Sequence, residues 1–202
     1  ILNGINYKFQ KGKFYVIVGA SGCGKTTLLK VIARLIPASE GTVYWNEKDL
    51  SKITRDSIYK KMSYISQNKV FLENTIRDNI CLDEPDNEIY QKVLEETFLQ
   101  SVFEKNHSDD DLVITLSGFP LSSGECQMVS FANILYAKKQ LILLDEAFSA
   151  IDPAKEKHFY KCIKELTKKG ATVILVSHRL TNINMSDCIL FMEKGCIKES
   201  GS

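Results

Sequence analysis

Two short stretches of the 202-residue chain carry groups that can do chemistry on a phosphate. GASGCGKT, residues 19–26, has the spacing G-x-x-x-x-G-K-[ST] and lies between an apolar run, FYVIV (14–18), and a stretch of helical periodicity, TTLLKVIARL (26–35). Gly19, Gly22 and Gly24 let the backbone curl so that successive N–H groups face inward around an anion. The helix that follows turns its positive end to the same point. Lys25 adds a full charge for the β- and γ-phosphates, and the Thr26 hydroxyl is an oxygen ligand for Mg²⁺. Ala20, Ser21, Cys23 and Thr27 complete the loop and the first helical turn. The glycine order differs from the G-x-G-x-x-G of dinucleotide folds, so the expected ligand is a nucleoside triphosphate.

The second stretch is LILLDE, residues 141–146, an apolar run ending in two carboxylates. Ligands of a parallel sheet sit at the carboxyl ends of its strands. Asp145 is therefore placed to hold Mg²⁺ through its water shell. Glu146 is placed to accept a proton from an attacking water, a role worth roughly 10²–10⁴-fold in rate.

These groups need elements to hold them. Strands are predicted at FYVIV (14–18), TVYW (42–45), MSYI (62–65), LILL (141–144), ATVILV (171–176) and CILFM (188–192), the last folding back after Gly195 as a hairpin. Several are continuous apolar runs, as expected of strands buried on both faces. A helix is predicted between 152 and 170, with Asp152 as cap, Pro153 in the first turn, Gly170 at the end, and Phe159, Ile163 and Leu166 on one face. The alternation predicts an α/β fold with a mostly parallel sheet flanked by helices. Residues 75–137 lack strong strands and read as several helices, including 87–103, with a polar, acidic loop at 106–111. The expected organisation is one domain. Its core is 1–74 and 138–202, with a β part near the N-terminus, and 75–137 is an inserted helical subdomain.

Composition narrows the function. The chain is 44% hydrophobic and 25% charged with a net charge of +1, which gives no basic excess and no expectation of a nucleic-acid partner. Lys164, Lys168 and Lys169 cluster near a helix end, where cations suit the dipole. The six cysteines form no CxxC pair, so no zinc site is expected and a reducing compartment is. No apolar run approaches the ~18 residues of a membrane span, and no signal-peptide pattern opens the chain. It begins at Ile1, without Met, and reads as a piece of a longer polypeptide.

Four further stretches, in this order and spacing, resemble the ATP-binding cassette (ABC) transporter ATPases. LSSGECQ (121–127) resembles the family's LSGGQ signature and lies upstream of LILLDE. SAID (149–152) resembles the loop after the catalytic Glu. SHRL (177–180) resembles the segment with the switch His, here His178. YISQ (64–67) resembles the loop whose Gln, here Gln67, meets the metal and the attacking water.

The resemblance implies a P-loop NTPase fold and ATP and Mg²⁺ as cofactors. It implies Glu146, His178 and Gln67 in catalysis, and Thr26, Gln67 and Asp145 at the metal. It adds Ser122, Ser123, Gly124, Glu125 and Asp152 to the nucleotide-binding residues. In this family two cassettes stack head to tail, each ATP lying between one phosphate loop and the other subunit's signature. The implied partners are a second nucleotide-binding domain, in a homo- or heterodimer, and transmembrane domains, fused upstream or on a separate chain. The implied location is the cytoplasmic face of a membrane. NKVFLENTIRDNI (68–80) resembles the segment of exporter cassettes that faces the membrane domain; there Phe71 and Leu72 fill either a partner pocket or the subdomain's own core. A soluble member of the family acting on DNA or ribosomes is the alternative and predicts a coiled coil or a tandem cassette. A low-turnover nucleotide-sensing module is a third reading, against which intact Glu146 and His178 count.

The sequence also departs from the family pattern. Ser123 replaces Gly and Glu125 replaces Gln in the signature, and Cys126 and Met128 stand where arginines are usual. VITLSGFP (113–120) lacks an acid common in exporters. The chain begins after the usual position of the adenine-stacking aromatic, for which Tyr7 and Phe14 are poor substitutes. The altered signature serves the partner's ATP rather than this chain's own, so the own site is expected to be competent when a partner signature completes it and the opposite one slow. Ser122 and Glu125 also have capping-box spacing, which would turn the Glu125 carboxylate back to the Ser122 N–H.

Overall fold

The computed structural model describes residues 1–67, 70–82, 85–105, 112–114, 121–181 and 183–201, and the main chain only at 105. The acidic loop 106–111 and most of 113–120 therefore lie outside the described residues. In chain order the elements are β1 (Phe14–Val18), α1 (Lys25–Ile32), β2 (Tyr44–Trp45), β3 (Lys48–Asp49), α2 (Arg55–Tyr59), β4 (Met62–Ile65), α3 (Ile76–Cys81), α4 (Asn87–Thr97), α5 (Leu99–Lys105), α6 (Ser123–Ala137), β5 (Leu141–Asp145), α7 (Pro153–Lys168), β6 (Thr172–Val176), β7 (Cys188–Glu193) and β8 (Cys196–Gly201). Short 3₁₀ turns lie at Leu50–Lys52 and Ile183–Met185.

The main sheet runs β4-β5-β6-β1-β7-β8. Every pairing is parallel except β7 with β8, a hairpin closed by Lys194 and Gly195, both at positive φ. The register sets Ile65 beside Leu144, Leu144 beside Leu175, and Ile17 beside Val176. Four parallel strands thus end level. Within two residues of these ends come the glycine loop, Gln67, Glu146 and His178.

Successive residues of the inner strands enter different cores. Phe14, Val16, Ile142, Leu144, Val173 and Leu175 pack with α3, α4, α6 and α7 on one face. Tyr15, Ile17, Leu143, Ile174 and Val176 pack with α1 on the other. Both faces are covered, which is why these strands read as unbroken apolar runs.

The structure corrects several boundaries. The strand expected at 42–45 is only Tyr44–Trp45, paired with Lys48–Asp49 across Asn46 and Glu47 at positive φ. This short ladder is the β structure described near the N-terminus; residues 1–13 form no strand. The helix expected over 26–35 stops at Ile32, where Arg34 takes φ 56° and donates to the Ile53 and Ser51 carbonyls. The helix expected over 87–103 breaks at Phe98, whose φ is 61°. No glycine marks that break. The Phe98 ring lies 5.0 Å from the His158 ring and 6.1 Å from the Phe159 ring. Packing on α7 offsets a left-handed residue that costs about 1–2 kcal/mol. The helix expected between 152 and 170 forms as α7, with the Asp152 carboxylate accepting from the Lys155 N–H at 3.0 Å.

An aromatic cluster ties α6 and α7 to the segment after β5. Phe131 lies 5.2 Å from Phe148 and 4.6 Å from Phe159, centroid to centroid, and is fully buried. Phe131→Ala is expected to lower the unfolding free energy by about 3–5 kcal/mol in denaturant titration. A loss below about 1 kcal/mol would show that the cluster does not anchor these helices.

Candidate active site

The glycine loop is held by its surroundings as much as by its own turns. Gly19 has φ 152°, and a Cβ there would come within 2.2 Å of the Met192 carbonyl oxygen, so no larger residue fits. Gly24, at φ 106°, is the cap residue of α1. The Gly195 N–H, from the β7–β8 turn, donates to the Cys23 carbonyl at 3.0 Å and buttresses the loop from outside. Lys25 is 5% exposed, and its ammonium donates to the Gly19 and Ala20 carbonyls at 2.8 and 2.9 Å. The charge is therefore held inside the loop's curl. Ser21 and Gly22 are exposed at the loop's tip, and Thr26 and Thr27 begin α1.

Asp145 ends β5 at 1% exposure. The Thr26 hydroxyl donates to its Oδ1 at 3.0 Å and the Tyr64 hydroxyl to its Oδ2 at 3.3 Å. Burial raises the Asp145 carboxyl above its usual range, and these two hydrogen bonds oppose that rise. Burial and the neighbouring carboxylate together push the Tyr64 phenol up, so its proton stays available to Asp145.

Glu146 follows with φ 54°, left-handed for a residue with a side chain. Its N–H donates to the Val176 carbonyl at 3.1 Å, which keeps the turn tied to β6. One carboxylate oxygen lies 2.8 Å from His178 Nε2, and the other accepts from Gln67 Nε2 at 3.2 Å. The structure therefore brings Thr26, Gln67, Asp145, Glu146 and His178, from three strand ends and α1, into two adjoining sets of polar contacts, Thr26 with Asp145 and Gln67 and His178 with Glu146. The donor types fit a hard, oxygen-preferring cation beside a phosphate: one hydroxyl, one carboxylate and one amide.

The signature residues stand on the N-terminus of α6. Ser122 caps the helix, and the box closes in both directions: Glu125 N–H donates to Ser122 Oγ at 3.3 Å and Ser122 N–H to Glu125 Oε2 at 2.7 Å. The Glu125 carboxylate is turned onto its own helix, as the spacing predicted. Gly124 abuts the SAID loop, where a Cβ would meet the Ala150 carbonyl oxygen at 2.9 Å. Asp152, at the end of that loop, uses its carboxylate to cap α7, and the Lys155 N–H it accepts holds it below the usual carboxylate range.

Phe71 and Leu72 divide the two readings given to them. Phe71 packs against the main core, whereas Leu72 is 57% exposed beside Val70 at 87%. Buried Asn79 holds Leu72 in place, accepting from its N–H at 2.8 Å and donating to its carbonyl at 3.1 Å. Phe14 is fully buried and Tyr7 packs on Phe9 and Tyr15, so neither presents a face to a base. Three residues with direct contacts to this site were not singled out by sequence: Tyr64, Gln127 and Arg179. Each lies inside a stretch already quoted, YISQ, LSSGECQ or SHRL, but only the folded register shows what it touches.

Residues 2–149 match the family model described as ABC transporter. A Rickettsia typhi protein described as an export ATP-binding/permease protein is 32% identical over 204 residues, covering 100% of this chain and 35% of that protein. Heavy metal tolerance factor 1 of Caenorhabditis elegans is 33% identical, covering 100% of this chain and 25% of that protein. The chain thus spans about a third or less of these relatives' lengths. The solved structure of a bacterial Atm1-family ABC exporter with ATP bound superposes with a TM-score of 0.93 at 27% identity, covering 100% of this chain and 36% of that one. With the fold, the order of its motifs and the family match all in agreement, the chain belongs to the ABC transporter family.

Proposed function

We propose that this chain is the ATP-binding and ATP-hydrolysing cassette of a membrane exporter, working head to tail with a second cassette. The observation that carries the reading is the Glu146 carboxylate, held between Gln67 and His178 and adjoining the Asp145–Thr26 pair. A base must be fixed where a water can reach it and the phosphate together, and two side chains, Gln67 after β4 and His178 after β6, fix this one. The loop N–H groups, the α1 N-terminus and Lys25 bind the phosphates. Thr26 and Asp145, with Gln67, would hold Mg²⁺, which when bound neutralises charge on the phosphate oxygens. Glu146 takes the proton of the attacking water, and His178 and Gln67 orient its carboxylate. Ser122 and its neighbours on α6 complete the second cassette's site.

Transport assigns the rest of the surface. In this reading the translocation path is the work of transmembrane domains, with this cassette at their cytoplasmic face; no described helix is itself long and apolar enough to cross a membrane. The relatives described as export, permease and exporter proteins support that pairing. Residues 1–74 and 138–202 act as the ATPase core and 75–137 as the helical subdomain. Exposed Val70 and Leu72, just after Gln67, face the membrane domain.

Glu146→Gln is expected to lower ATPase turnover of the assembled transporter by about 10²–10⁴-fold while ATP affinity changes little, as read by steady-state hydrolysis and by binding of a fluorescent ATP analogue. Unchanged turnover would sink the assignment. Glu125→Gln removes the carboxylate that offsets the positive end of α6, and should strengthen ATP-driven cassette association about two- to fivefold, in line with the dipole's usual ~0.3–1 kcal/mol. Sedimentation of the hydrolysis-deficient protein with and without ATP measures it; identical association would show that this carboxylate does not oppose the phosphate.

A further inference from the structure

Gln127 lies on α6 five residues after Ser122 and is 6% exposed. Cys126, Met128 and Val129 beside it are buried hydrophobics. A buried amide in such company needs partners, and this one has three on the segment after β5. Its Nε2 donates to the Glu146 carbonyl at 3.3 Å and to Ser149 Oγ at 2.9 Å, and its Oε1 accepts from the Ala150 N–H at 2.8 Å. Arg179, next to His178, also holds this segment, donating to the Ser149 and Ile151 carbonyls at 2.6 and 2.7 Å and to the buried Glu156 carboxylate at 3.2 Å.

The two clamps bear on a strained residue. A side-chain-bearing residue in the left-handed region costs of order 1–3 kcal/mol and persists only where its surroundings over-determine it. At Glu146 the N–H is fixed by β6, while the carbonyl is fixed by Gln127 and by the Ser149 N–H at 3.3 Å. The backbone angle sets the direction in which the carboxylate leaves the chain, and with it the contacts to Gln67 and His178.

We propose that Gln127 is a positioning residue for hydrolysis: through its bonds to the Glu146 carbonyl, Ser149 and Ala150 it holds the Glu146 backbone in register with the helix that carries the signature. The inference rests on the reading of Glu146 as the base. Because one side chain joins the Glu146 turn to α6, the aim of this chain's own carboxylate follows the position of the helix that serves the second cassette's ATP. The link is an uncharged amide, so it passes on geometry rather than charge.

The test is Gln127→Met in the reconstituted transporter, a substitution of similar volume without hydrogen bonds. Turnover is expected to fall at least about tenfold with KM for ATP within about threefold, since misplacement of a catalytic group by about 1 Å costs up to ~10² in rate without touching phosphate binding. A turnover within about twofold of the unsubstituted protein, or a parallel loss of turnover and ATP affinity, overturns the proposal. Ser149→Ala removes only an exposed hydroxyl and covers the case in which Gln127→Met does not fold. It should lower turnover about two- to fivefold at constant KM, and no change in it likewise overturns the proposal. Glu146→Gln run in parallel separates the two readings. If it leaves turnover intact, the base assignment fails. If it abolishes turnover while Gln127→Met does not, only the role of Gln127 fails.

Discussion

The hydrogen bond from Thr26 to Asp145 is the contact on which the arrangement of the chain converges. It joins the first turn of α1 to the last residue of β5, 119 positions later in sequence. It forms only if β5, β6 and β1 lie side by side, in register, with both cores filled. A carboxylate at 1% exposure is costly unless its oxygens are occupied. Thr26 and Tyr64 supply one donor each, from α1 and from β4. The same register that satisfies Asp145 brings Gln67, Glu146 and His178 level with the glycine loop. The site is therefore a consequence of strand pairing, and the polar contacts make that pairing specific.

Much of this was legible because local chemistry repeats what the tertiary structure needs. The glycine loop, the acids ending LILLDE, the cap and proline of α7 and the capping box of Ser122 and Glu125 all depend on residues close in sequence. What escaped the sequence depends on distant partners. Phe98 breaks a helix with no breaker residue, because α7 receives its ring. Gln127 reads as one polar position in an apolar helix until β5 and its following loop are laid against it. Arg179 reads as a surface cation until its guanidinium is seen against two loop carbonyls and a buried carboxylate. Glu146 carries no sequence sign of its left-handed backbone.

The altered signature becomes more intelligible in this setting. A carboxylate at the third helical position is a good cap, and the box it closes with Ser122 stabilises the helix start. The same charge offsets the positive end of the helix dipole, which is what an anion would need there. Local stability and anion binding thus draw on the same N–H groups, and Glu125 favours the first. Nothing comparable affects the glycine loop, whose Lys25 is fixed by uncharged carbonyls.

The altered signature residues Ser123, Glu125, Cys126 and Met128 all stand on α6. The groups around Asp145 and Glu146 contact one another at the strand ends, and the signature helix is tied to the turn at Glu146 by the amide of Gln127. An amide held by three hydrogen bonds resists displacement in three directions, so α6 cannot shift along its axis without disturbing the turn at Glu146. Carboxylate aim and signature position are then two readings of one rigid unit. On the proposed reading, a shift of α6 would reach the turn at Glu146 through Gln127 as well as the ATP of a second cassette.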